Sequence, residues 1–386
     1  MSDAVCTEIA QANGVTVTVW RARNGEWIQR PDGQHNREAI FPDGTIVKSW
    51  RVPDGFHFVR ANGLHNEETI EPAGHLTKFW LTPRGEHLQR ERGLHNQETV
   101  FLDGTVTKFW VTPDGKYDQR FDGLHNQETI NLRGTITACW LTPDGEYAYR
   151  PDGLHNKEIV RDGGISAKTW RTPSGEFIER DSGLHNREVV WLDGTIIRSW
   201  RARDGQYAQR LDDLHNDELW SPDGSITKRW YTAGKKWVQR ANGLHNAESA
   251  EPDGTIVKMW YAPDGEYAQR PDDLHNEEVA LLDGTIIKSW LTGDDDYVQR
   301  PNGLHNKEII WSGGGSLISW LAPDGVLIWC IDSITISCAS SLRQNETVHS
   351  HTAVPNSWRT LSIDDTLDAK AEERHSQNII TLSSSH

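Results

Sequence analysis

A histidine, an asparagine and a glutamate return in one order all along this chain. "GLHNEET" runs from Gly63 to Thr69, "GLHNQET" starts at Gly93 and again at Gly123, and "GLHNKEI" starts at Gly153 and at Gly303. A histidine and a carboxylate three residues apart are the types that hold a metal or move a proton, and a His-Asn pair occurs in some nucleases. A catalytic site is needed once, whereas this group returns ten times, every 30 residues from His35 to His305. In a continuous strand, alternation puts His65 and Asn66 on opposite faces, and His65 and Glu68 on opposite faces too. The nuclease sites also need a helix, and no stretch of the array has a helical period. The group therefore reads as a register and turn device, in which the Asn amide satisfies backbone groups. The expectation is no catalytic residue, no metal and no cofactor.

The elements that position this group follow a strict period. Trp20, Trp50, Trp80, Trp110, Trp140, Trp170, Trp200, Trp230, Trp260, Trp290 and Trp320 stand 30 residues apart, and Arg30 to Arg300 and Gly44 to Gly314 keep the same step. A fixed period of this length marks a repeat architecture. A typical unit, "ANGLHNAESAEPDGTIVKMWYAPDGEYAQR" from Ala241 to Arg270, holds three turn signals: "NG" at Asn242 and "PDG" at Pro252 and Pro263. Pro presets one turn dihedral and Gly supplies positive φ. Between the turns lie short β-type segments such as "TIVKMW", rich in branched and aromatic residues. Equivalent residues fall in equivalent places of a meander only if each unit holds an even number of strands. Two fit, one around "GLHNEETIE" and one around "TIIKSWLT", with a longer connection carrying a short extended piece. The fold class expected is all-β, an elongated tandem-repeat antiparallel sheet. A three-sided β-solenoid is the competing geometry and a ten-bladed propeller the third.

"EAIFPDGTIVKSW" from Glu38 to Trp50 and "ESAEPDGTIVKMW" from Glu248 to Trp260 resemble the MORN repeat and its MORN-like relatives. The resemblance covers Gly14 to about Gly325. It implies a rod-like sheet used in scaffolding, protein contacts and sometimes lipid contacts. MORN units are shorter, and their small "G-x-G" strand is replaced here by "HNxE".

The recurrent residues read as a structural ladder. Trp50, Trp80, Trp110, Trp140, Trp170, Trp200, Trp230, Trp260 and Trp290 are expected to pack in a core; the alternative is a row of platforms for sugar rings. Arg90, Arg120 and Arg150, with their equivalents, are expected to pair with the recurrent Glu or to lie over a Trp face. His65, His95 and His125 complete the ladder. The stripe Lys48, Lys78, Lys108, Lys168, Arg198, Lys228, Lys258 and Lys288 shares a face with Ile46 and Trp50, so its stems are expected to cover ring edges. The turn acids Asp43 and Asp54 lack the dense oxygen spacing of calcium loops. Their equivalents Ala73, Arg133, Gly163 and Asn24 show a position that a turn tolerates.

Fifty-six acidic residues against 40 basic ones give a net charge of −16, which argues against nucleic acid or an anionic membrane as the main partner. Cys6, Cys139, Cys330 and Cys338 show neither metal spacing nor a disulfide framework. No signal peptide and no apolar run near the ~18 residues of a membrane span is seen, so a cytoplasmic location is expected. No phosphate loop, "GxSxG" or "HExxH" occurs. Residues 1–13 read as a leader and 14–325 as the array, with a half unit at 14–30 and then about ten units. Residues 326–386 read as an edge strand over Val326–Ser337 and a Ser-rich tail. The functional expectation is a non-enzymatic scaffold with an unknown protein partner. A carbohydrate or cell-wall binding array using Trp platforms is the alternative.

Overall fold

The computed structural model describes residues 5–332, apart from 31–32, 61–62, 121–122, 151–152, 181–182, 211–213, 241–242, 271–273 and 301–302. The tail expected over 338–386 and the "NG" signal at Asn242 lie outside the described residues.

The described chain is all-β. Twenty-three strands form one antiparallel sheet, and each contacts only its neighbours in sequence. β1 (Val5–Ala10) pairs with β2 (Thr16–Arg21). Ten hairpins follow, from β3 (Arg37–Ile40) with its mate Ile46–Ser49 to Lys307–Ile310 with β22 (Ser316–Leu321). β23 (Leu327–Asp332) closes the order, inside the segment expected to hold an edge strand. The meander excludes the solenoid and the propeller. β1 lies in the stretch 1–13 that reads in sequence as a leader, and the structure makes it a strand.

The turns explain the period. In the hairpin Arg37–Ser49, Phe41 N–H donates to Thr45 O at 2.9 Å and Gly44 N–H to Phe41 O at 2.9 Å. Gly44 sits at φ 89°, a conformation open mainly to glycine. The Asp43 carboxylate accepts from Thr45 N–H at 2.9 Å. That bond assists a turn whose backbone already closes itself, so Ala73 and Gly163 are tolerated in its place. The connection after each Trp makes one further antiparallel bridge, such as Leu81 with His87 and Leu141 with Tyr147. It lays an aromatic or histidine ring on one face of the sheet.

The sheet's two faces differ. In the hairpin Glu67–Phe79, Glu68 stands opposite Lys78 and Ile70 opposite Leu76, while Thr69 faces Thr77 and Glu67 faces Phe79. Alternation therefore sends Glu68, Ile70, Leu76 and Lys78 to one face, and Thr69, Thr77 and Phe79 to the other. The second face takes the connection rings, as Phe79 with His87 and Phe109 with Tyr117. Apolar burial is local, in clusters such as Val15, Val17, Val19 and Ala39 or Ala247, Met259, Tyr267 and Leu291. The largest fully buried side chains are polar: Asn36, Asp217, Ser49 and Ser199.

Candidate functional site: a recurrent inter-unit lattice

The recurrent residues meet along the Trp side of the hairpins. Asn66 ends the connection just before the strand Glu67–Ile70, where the chain bends. Its side chain stands in for a strand. The Asn66 Oδ1 accepts from Leu81 N–H at 2.8 Å and its Nδ2 donates to Leu81 O at 2.7 Å. The same two bonds join Asn126 to Leu141 and Asn276 to Leu291, 15 residues on. The second amide hydrogen reaches back eight residues, as from Asn126 to Asp118 O at 3.0 Å. The backbone of Asn126 is also paired, its N–H to Cys139 O and its C=O to Trp110 N–H. A buried amide with every group satisfied fixes register strongly.

The bend also corrects the expectation for the histidine. His65 lies before the strand begins, so alternation does not separate it from Glu68. Its Nε2 is 2.6 Å from Glu68 Oε1, and His215 stands 2.7 Å from Glu218. A carboxylate can only accept, so Nε2 carries the proton. The carboxylate is held from the other side as well: Lys78 Nζ donates to Glu98 Oε1 at 2.8 Å, and Lys108 does the same to Glu128. Lys228, Lys258 and Lys288 repeat this.

Each imidazole stands edge-on between two indoles. His65 is 5.4 Å from Trp50 and 5.9 Å from Trp80, centroid to centroid, with near-perpendicular planes. The alternation continues without a gap from Trp20 to Trp320. The indoles thus meet histidines on both sides along the column, and the lysine heads go to glutamates across the strands. Trp50, Trp80 and Trp230 are buried, and Trp110, Trp140, Trp170, Trp200, Trp260 and Trp290 are partly buried.

Arginine lies over the indole in each unit from Trp20 to Trp290. Arg60, Arg90, Arg120 and Arg150 lie 4.4, 4.4, 4.9 and 4.2 Å over Trp50, Trp80, Trp110 and Trp140. The guanidinium is further fixed by backbone oxygens: Arg150 donates to His155 O at 2.6 Å and to Gly123 O at 3.0 Å. Trp140 Nε1 donates to the same Gly123 O at 2.7 Å. One carbonyl, presented by a glycine at φ 67°, thereby receives an indole and a guanidinium. Arg150→Lys keeps the charge and loses the planar fork. We expect it to lower stability by about 1–2 kcal/mol in urea unfolding; no change would remove the fork from the lattice.

Burial against the rings depresses several histidines. Desolvation, partly opposed by Glu188, takes His185 down to about 4, and burial likewise lowers His35, His125, His275 and His305. The hydrogen bond from His95 leads in holding Glu98 down to about 2, and those from His215 and His245 do so for Glu218 and Glu248. A neutral imidazole donating to an ionised carboxylate satisfies both. Among the described residues no three His, Cys, Asp or Glu side chains gather as metal ligands.

The lattice leaves one apolar residue of the motif outside. Leu64, Leu94, Leu124, Leu154, Leu184, Leu214, Leu244, Leu274 and Leu304 are each between 37 and 51 % exposed, so nine units present the same side chain to solvent. Beside Leu64 a groove of about 510 Å³ is lined by Leu94, Trp80, Arg90 and Gln89. The equivalent position six units on, beside Leu244, has a groove of about 100 Å³ lined by Trp260, Arg270 and Gln269. The sequence signal for this row is a leucine inside a turn segment, between Gly or Asp and His, where a polar residue is the ordinary choice.

No known protein family matches the sequence, and no curated protein does. The chain is similar to solved structures at low values. One is the TCP10 domain of Danio rerio CPAP, at 14% identity over 84% of this chain and 99% of that one, with a TM-score of 0.20. Another is the SAS-4 (dCPAP) TCP domain of Drosophila melanogaster in complex with a proline-rich motif of Ana2, at 13% identity over 57% of this chain and 87% of that one, with a TM-score of 0.18.

Proposed function

We propose that this chain is a non-enzymatic, MORN-like scaffold whose repeated surface binds protein partners at several units at once. The observation that carries the reading is the leucine row. The polar and aromatic residues of the motif bond to one another and to the backbone, while Leu64 to Leu304 stay half exposed at the same place in nine units. A regular row of apolar side chains, with grooves beside Leu64 and Leu244, suits a partner that touches neighbouring units together. No helix among the described residues is long and apolar enough to cross a membrane. A cytoplasmic location is part of this proposal, on the sequence grounds given above.

The test replaces leucines with serine in sets of three, starting with Leu124, Leu154 and Leu184. Folding should be little changed, because these side chains are already half in water. Proteins retained by the unaltered array from a lysate should be retained less with each set, since lost contacts lower the effective concentration of those that remain. Equal retention after all nine replacements would defeat the reading. Release by soluble oligosaccharide would move the function to glycan binding.

A further inference from the structure

We propose that the outer edge of β1 is a homodimerisation surface: a second copy of this chain adds its own β1 antiparallel, across a two-fold axis at Thr7. The inference does not depend on the scaffold reading. β1 is six residues long, against four in most other strands, and all six side chains are exposed. It contacts only β2 among the described elements. Its pairing runs from Val5 with Arg21 to Ala10 with Thr16 without a shift. Exposed edges are ordinarily guarded by lysine, proline or a bulge; "VCTEIA" has none of these and one charge, Glu8. At the far end of the sheet, β23 pairs through a register shift at Trp320/Leu321.

The register of such a pair follows from which backbone groups are free. Gln11 N–H donates to Val15 O at 2.8 Å. Bonded pairs alternate along an antiparallel ladder, so residues 5, 7 and 9 bond inward to β2 and residues 6, 8 and 10 point their N–H and C=O outward. Two copies must therefore exchange bonds among 6, 8 and 10. Centring on Glu8 would set two carboxylates directly opposite, which is unfavourable. Centring on Thr7 bonds Cys6 of each copy with Glu8 of the other and sets Val5 beside Ile9. Val5 and Ile9 are 45 % and 48 % exposed, on the face that carries buried Val17 and Val19. The pair would continue that apolar face from one copy into the next. The match is self-complementary, as an isologous two-fold contact requires.

Sedimentation equilibrium of the full chain reads the mass directly. The unaltered chain should approach twice 43.8 kDa. Glu8→Pro removes an outward N–H while the inward bonds of Thr7 and Ile9 remain, and it should sediment as a monomer with unchanged circular dichroism. Because that variant could loosen β1, a second measurement uses chains in which Cys6, Cys330 and Cys338 are serine. There Thr7→Cys should form an intermolecular disulfide under mild oxidation, since directly opposed residues of this kind lie at bridgeable distance. Ala10→Cys should not, because the two copies of residue 10 are six residues apart in this register. A monomeric unaltered chain at its highest soluble concentration would overturn the proposal. So would a dimer that survives Glu8→Pro and cross-links equally through Ala10→Cys.

Discussion

Asn126→Ala is expected to lower stability by about 2–4 kcal/mol, out of proportion to the few atoms removed. The Asn126 side chain is 4 % exposed. Its loss leaves the N–H of Leu141 and the C=O of Asp118 without their side-chain partner. Leu141 O keeps one bond, from Gln119 Nε2 at 2.7 Å, which holds the cost below that of three orphaned groups. Asn126→Asp should also destabilise, because a carboxylate then faces two carbonyl oxygens. Each unit bonds only to its neighbours, so a damaged joint uncouples the segments on either side. Urea unfolding followed by tryptophan fluorescence should split into two transitions. A single transition shifted by less than about 0.5 kcal/mol would show that the amide is dispensable.

Acid is expected to unfold the array in two stages. His35, His125, His185, His275 and His305 titrate below the ordinary imidazole value in the folded chain. As pH falls below about 6.5 the unfolded chain takes up protons that these buried rings do not, so stability declines from there toward the folded value, which is about 4 for His185. Glu98, Glu218 and Glu248 act lower down. Their folded values near 2 lie below the ordinary glutamate value of 4.5, so the stability they give is present above pH 4.5 and is lost between 4.5 and 2. Several small contributions of one sign add along the column. The melting temperature should hold between pH 9 and 7 and drop by about 10 °C by pH 5, before a steeper fall. A flat profile from pH 7 to 5 would mean that the imidazoles protonate in place.

Much of the fold was legible because the period repeats every constraint. The "PDG" turns, the two short strands and the bridging connection each leave a local signature in every unit. Two features depart from the sequence expectation for a common reason, that a local rule does not hold across an element boundary. His65 and Glu68 were separated by strand alternation although the strand starts after the bend at Asn66. β1 was passed over because "VCTEIA" matches no repeat, although Asn13-Gly14 is a turn signal before "VTVTVW", with Gly14 at φ 80°. The lattice itself was only partly legible. Arg over Trp was among the expected pairings, but the 15-residue reach of Asn126 to Leu141 and the shared carbonyl of Gly123 are contacts between strands. They depend on register, which composition does not encode.

The shared glycine carbonyl and the Asn clasp have a mechanical meaning. The lattice bonds traced above all end within one neighbouring unit: 15 residues for the Asn, 17 for the Trp and 27 for the Arg. Tension applied between the first and last strands runs across the strands, so the bonds of one joint carry it before those of the next are loaded. Such a chain comes apart like a zipper, one hairpin at a time. Each released unit turns about 10 Å of stacked strand spacing into roughly 100 Å of slack chain, and the hairpins behind the tear keep their register.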